Sequence, residues 1–176
     1  MTKKQKSLIA ELIASLPEEQ KTVYQSITNY LTELGYVPQK QQVKDFVISF
    51  KHNTNGKVIA KIGIRKQIAF ISIKFFACKN VSQKYRDALH HELVSRNGQY
   101  SSPTRVNPIG IITNKCGHCG DICTGGGLGY YYKYPNGKEV SRCGAYPIII
   151  PNIDDTDIDE MKAVLFEQHS YFLSLA

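Results

Sequence analysis

Between Phe46 and Phe75 the chain alternates apolar and polar residues in three consecutive stretches separated by two short turns. Strands alternate their side chains between two faces, so this pattern specifies an antiparallel meander with one apolar face. In Phe46–Lys51, Phe46, Ile48 and Phe50 oppose Val47, Ser49 and Lys51. The turn Asn53-Thr54-Asn55-Gly56 follows, in residues that tolerate left-handed backbone. In Lys57–Arg65, Val58, Ala60, Ile62 and Ile64 oppose Lys57, Ile59, Lys61, Gly63 and Arg65. After Arg65-Lys66-Gln67, the third strand runs from Ile68 to Phe75. The apolar face must be covered by other elements. The opposite face is partly basic through Lys51, Lys57, Lys61 and Lys74.

Helical spacing supplies the cover. Ser7–Ser15 places Leu8, Ile9, Leu12 and Ile13 on one side. Pro17 suits the first turn of a second helix, with Glu18 and Glu19 at its positive end. That helix turns Val23, Tyr24, Ile27, Tyr30, Leu31 and Leu34 inward and stops at Gly35. Ser82 caps a helix to about Ser95, and Gly98 ends it. Ile148–Ile150 reads as a short strand. A last helix starts near Asp157, with Glu160 three residues on as a capping-box partner. Its inward residues are Met161, Val164, Leu165, Gln168, Phe172 and Leu175, while His169, like His90 and His91, reads as a boundary residue in contact with water.

At 176 residues the chain suffices for one domain with its own core. The expected fold is α+β, an antiparallel sheet flanked by helices, carrying a zinc-ribbon-like cysteine hairpin as an insertion. Within residues 1–176 the parts are N-terminal helices (1–35), meander plus helix (45–98), cysteine module (116–146) and C-terminal helix (157–175).

The cysteine module carries the clearest chemistry. Cys116, Cys119, Cys123 and Cys143 follow the pattern Cys-x2-Cys-x3-Cys-x19-Cys. In Cys116-Gly117-His118-Cys119-Gly120 two thiols share a tight loop, and the glycines let backbone amides turn toward the sulfurs. Tyr130–Tyr134, the turn Pro135-Asn136-Gly137 and Lys138–Cys143 form a hairpin that returns Cys143 toward that loop. Four soft thiolates suit a divalent zinc ion, and a site closed by four ligands is structural. Lys115 and Arg142 adjoin ligands and offset part of the negative charge. An iron–sulfur cluster, redox-active thiols, and a mixed site using His118 are the other readings. Cys116-Gly117-His118-Cys119 also resembles the active-site tetrapeptide of protein disulfide isomerases, which implies thiol redox chemistry. Asn114-Lys115 stand before it in place of that family's aromatic residue, and Gly120, Asp121-Ile122-Cys123 and a glycine run follow, which does not suit the helix that this family starts there. Cys78, after Phe75-Phe76-Ala77, reads as a buried apolar thiol.

An odd count of five cysteines with four clustered favours metal ligation in a reducing compartment, so a cytoplasmic location is expected. The sequence shows neither a signal peptide nor an apolar run long enough to span a bilayer, and no membrane partner is expected. The net charge is +7 and uneven. Residues 1–80 hold 13 Lys/Arg against 5 Asp/Glu, whereas residues 151–176 hold 1 against 6. A basic body permits a nucleic acid or another polyanion as partner.

The run Asp45–Leu93 resembles bacterial domains of the YdhG and YjbR kind. The resemblance is carried by Val58-Ile59-Ala60-Lys61-Ile62-Gly63-Ile64, by Ile68–Lys74 and by the helix Ser82–Val94 directly after them. It implies a curved antiparallel sheet flanked by helices. Some YjbR-like domains resemble double-wing DNA-binding modules, which suits the basic sheet face. The cysteine cluster departs from that family pattern, and no catalytic residue carries over.

Three functional expectations follow. The first is a non-enzymatic module with structural zinc, contacting a polyanion through Lys51, Lys57, Lys61, Arg65 and Lys74. The second is a small-molecule-binding protein or enzyme with a pocket lined by Tyr130, Tyr131, Tyr132, Tyr134 and His118. The third is a thiol redox protein acting through Cys116 and Cys119.

Overall fold

The computed structural model describes residues 1–78, 80–95, 111–112, 129–133 and 139–175, with backbone alone at 93–95, 111–112, 131–133 and 139–142. It is α+β. Helices α1 (Lys3–Ala14) and α2 (Glu18–Glu33) precede strands β1 (Tyr36–Lys40), β2 (Phe46–His52), β3 (Val58–Arg65) and β4 (Ile68–Ile73). Helix α3 (Gln83–Ser95) leads to β5 (Ile111–Ile112), β6 (Gly129–Lys133), β7 (Glu139–Cys143) and β8 (Ile148–Ile150). A 3₁₀ turn (Asp155–Asp157) and helix α4 (Ile158–Ser174) end the order. The strands form a five-stranded antiparallel sheet, β1-β2-β3-β4-β8, and a three-stranded one, β5-β6-β7.

The meander forms as its alternation requires. Ile48, Phe50, Ala60, Ile62, Ile71, Ile73, Ile148 and Ile150 are buried in one cluster with Leu12, Ile27, Leu31, Leu165 and Phe172 of the helices. Burying an Ile or Phe side chain stabilises the fold by about 1.5–3 kcal/mol, so this cluster is the main source of stability. On the opposite face Ser49, Lys61 and Ser72 lie side by side across three strands. Both serines are buried and bonded: Ser49 Oγ accepts from Gln41 Nε2 at 2.7 Å, and Ser72 Oγ donates to the Lys61 carbonyl at 3.4 Å. Gly63 pairs with Val47 across β2 and β3. A Cβ at that position would lie 2.5 Å from the Phe46 carbonyl oxygen. Ile59 was expected beside Lys57 and Lys61 on the basic face but is fully buried. The pairing shifts between Phe50 and Lys51, with Phe50 opposite Ala60 and Lys51 opposite Val58, so Ile59 falls at a bulge where simple alternation fails.

Other boundaries move for local reasons. Helix α1 begins four residues before Ser7 because Thr2 and Gln5 form a capping box, each side chain bonding the other's backbone N–H. Pro17 is the N-cap of α2 rather than part of its first turn. Gly35 closes α2 with φ +86°. Strand β1 was not expected. It lies at the sheet edge, and Gln41 N–H donates to the Val47 carbonyl. By strand parity Val37 and Gln39 bond inward and Pro38, which has no N–H, faces outward, which blunts the edge. The β3–β4 turn places Lys66 and Gln67 at φ 50° and 64°, the backbone of a type I′ hairpin turn built without glycine.

The expected capping box of α4 is replaced. Asp154 and Asp157 form that box around the 3₁₀ turn, and α4 starts at Ile158. Glu160 instead accepts from the Ser82 N–H at 2.7 Å, tying α4 to the start of α3. The Asp157 carboxylate takes Lys84 and the Asp154 N–H. Bonds from the Thr156 side chain and N–H hold the Asp154 carboxyl below its usual range. These bonds occupy the acidic residues and account for their clustering. Cys78 is buried as expected, and burial pushes its thiol pKa up.

Candidate metal centre

The three-stranded sheet sets the stage. Strand β5 pairs with β6, and β6 with β7, so Ile112, Gly129 and Cys143 form one row across the sheet. Antiparallel neighbours lie about 4.5–5.5 Å apart between Cα atoms. The residues that flank 113–128, Ile112 and Gly129, therefore pair with each other, and Gly129 pairs with Cys143. Cys116, Cys119 and Cys123 belong to that segment and lie outside the described residues, as do His118 and Tyr134. In sequence, Cys116 follows Ile112 by four residues and Cys123 precedes Gly129 by six.

Cys143 is buried at the end of β7, 5% exposed. The Ala145 N–H points at its sulfur, 3.5 Å away, and the Tyr146 N–H donates to its carbonyl at 3.2 Å. This turn aims a backbone donor at the thiol. Such a bond favours the anionic sulfur, the form that binds metal. The hairpin expected from Tyr130 to Cys143 is present as β6 and β7, with Tyr130 opposite Arg142 and Tyr132 opposite Val140. Among the described residues, no three His, Cys, Asp or Glu side chains are grouped to hold a metal.

Tyr130, expected to line a pocket, lies in the core. It is fully buried, with its ring edge-on to Phe75 at 5.1 Å and to Phe76 at 6.0 Å. Its hydroxyl accepts a hydrogen bond from the Phe75 N–H at 3.0 Å. The residue pins β6 into the main core just after β4. The side chains of Tyr131 and Tyr132 are not among those described. A cleft of about 570 Å³ opens elsewhere, between α1 and the edge strand β1, lined by Thr2, Leu8, Glu11, Pro38 and Lys40 among others.

The basic set divides. Lys51, Lys57 and Lys61 are half-buried on or beside the polar face, and Arg65 is exposed. Arg65 Nε pairs with Asp45 Oδ2 at 3.0 Å and its guanidinium lies over the Phe70 ring. Lys74 departs from the expected open face. It is 6% exposed, with its ammonium 5.8 Å from the Phe172 ring of α4. Strand β4 ends at Ile73, so the alternation that would turn Lys74 outward has already stopped.

His169 is a second departure from the sequence expectation. It is buried at 8% exposure against Tyr36 and His52. Its neighbours Gln168 and Phe172 already marked this side of α4 as inward, and that was the available signal.

No family model, curated protein or solved structure matches this chain. No helix among the described residues is long and apolar enough to cross a membrane.

Proposed function

We propose that Cys116, Cys119, Cys123 and Cys143 bind one structural zinc ion, and that the protein is a non-catalytic binding module built around it. The row Ile112–Gly129–Cys143 carries the reading, because it tethers both ends of the three-cysteine segment beside the fourth cysteine. The Ala145 N–H aimed at Cys143 supports it, since a thiolate ligand gains from such a donor. A four-thiolate site requires reduced cysteines, which places the protein in a reducing compartment such as the cytoplasm. When bound, the zinc would cross-link the segment 113–128 to the hairpin, and four sulfurs leave no position for a reactive water.

The partner in this reading is a polyanion, nucleic acid first. Lys51, Lys57, Lys61 and Arg65 carry it, helped by a net charge of +7. Lys74 drops out of the contact set because it is buried. The resemblance of Asp45–Leu93 to YjbR-like domains, some of which are similar to double-wing DNA-binding modules, would suit the same partner.

The test is elemental analysis of protein purified without added metal, repeated on Cys116→Ser and Cys143→Ser. One zinc per wild-type chain and none in either variant is the expected result. Metal-free wild-type protein with all thiols titratable would refute the site, and iron with visible absorbance would replace zinc by a cluster. Binding to duplex and single-stranded oligonucleotides should weaken steeply with salt. No binding at low salt would remove the polyanion reading and leave the zinc reading intact.

A further inference from the structure

The buried histidines have no part in that reading. Three rings from three elements meet at one point: Tyr36 of β1, His52 of β2 and His169 of α4. Their centroids lie 5.0 Å (Tyr36–His52), 5.6 Å (Tyr36–His169) and 5.5 Å (His52–His169) apart. They are 1%, 8% and 8% exposed. Two histidines face each other across the joint between the sheet and the last helix, shielded from water.

The hydrogen bonds suit the uncharged rings. His52 Nδ1 accepts from the backbone N–H groups of Thr54 and Asn55, both at 3.4 Å, which assigns its ring proton to Nε2. His169 Nδ1 lies 3.3 Å from the Tyr36 hydroxyl. Burial pushes the Tyr36 phenol up, so its hydroxyl stays protonated and can serve an unprotonated His169 Nδ1 as donor. A proton on His169 Nδ1 would turn that bond round, and it would place a charge in a site shielded from water with the His52 ring 5.5 Å away. Two further bonds dock this half of α4: Asn55 Nδ2 to the Phe172 carbonyl at 3.4 Å, and the Ala77 N–H to Gln168 Oε1 at 3.1 Å.

We propose that the Tyr36–His52–His169 cluster is an acid-sensitive latch that holds the C-terminal half of α4 on the sheet when neutral and loosens it when His169 takes a proton. The charged residues near the cluster on the elements that meet there include Lys40 on β1, Lys51 on β2 with Lys57 just beyond it, Glu33 at the end of α2 and Glu167 on α4, while Lys74 lies over the Phe172 ring of α4. Burial first, and His52 second, lower the proton affinity of His169 below its ordinary value of 6.5. The sign follows. The unfolded chain takes up this proton near pH 6.5, before the folded one does. Stability is therefore complete above that pH and falls as pH drops from 6.5 through the lower folded-state value. Asp154, with its lowered pKa, acts below 3.8 and does not overlap.

The experiment uses the full chain between pH 7.5 and 5. Imidazole Cε1–H resonances give each histidine's titration midpoint, and amide exchange gives the protection of α4. We expect a His169 midpoint below 6.5, and a loss of α4 protection around Val164–Phe172 as the pH falls from 6.5 to 5. His169→Gln, neutral at every pH, should lose that fall. A wild-type midpoint at or above 6.5 would overturn the latch, as would unchanged α4 protection or an equal pH slope in the variant. If His169→Gln does not fold, the two wild-type measurements still decide.

Discussion

The five-stranded and three-stranded sheets share antiparallel pairing but not the means of staying together. The larger sheet lays a continuous apolar face, from Tyr36 across Phe50, Ile62 and Ile71 to Ile150, against the helices. In the smaller sheet, Tyr130 and Cys143 are the large buried side chains among those described. A small sheet needs an apolar face or packing against other elements to be stable in water. For the smaller sheet the described packing is the Tyr130 anchor among Phe75 and Phe76, and the proposed zinc would add a cross-link to it.

Metal removal is the strongest way to break that comparison. Structural zinc sites are worth roughly 10–16 kcal/mol in small metal-dependent folds. Under a strong chelator, amides of β6 and β7 should lose exchange protection while those of β2, β3 and β4 keep it. Concerted loss in both sheets would show a single cooperative unit and dissolve the distinction.

Gly63→Ala attacks the other side. The added methyl would meet the Phe46 carbonyl backbone, which cannot swing away as a flexible side chain would. Overpacking of this kind costs about 1–3 kcal/mol. At this chain length that lowers the melting temperature by roughly 2–4 °C per kcal/mol. Metal content should not change. A neutral substitution would mean that β2 and β3 separate easily, and that their packing is looser than the buried cluster implies.

Much of the larger sheet was legible because it repeats. Phe46–Ile73 carries a period of two, and α2 and α4 carry a period near 3.6, so their buried faces could be read directly. Strand β1 was not legible: five residues with a proline at the centre carry no period, and the edge position that admits Pro38 is a property of the finished sheet. Lys74 and Ile59 were misassigned where alternation stops, at a strand end and at a bulge. In the smaller sheet the hairpin was legible from its turn, Pro135-Asn136-Gly137. Strand β5 was not, because two residues cannot show a pattern, yet β5 is what places Ile112 in one row with Gly129 and Cys143. Nor does a run of tyrosines reveal that Tyr130 is the one that enters the core.

That anchor supports the last and smallest prediction. Tyr130→Phe keeps the ring among Phe75 and Phe76 but takes the acceptor from the Phe75 N–H, leaving a buried donor unmatched at a cost of about 1–3 kcal/mol. The two sheets meet at this hydrogen bond, so the variant measures how far they depend on each other. Coupling between metal binding and anchor is reciprocal: if zinc tightens the anchor by some factor, the anchor tightens zinc by the same factor. The expected result is a lower melting temperature together with weaker zinc retention in a chelator competition. A lower melting temperature with unchanged retention would show that Tyr130 serves the larger core alone and that the cysteine module holds its metal independently.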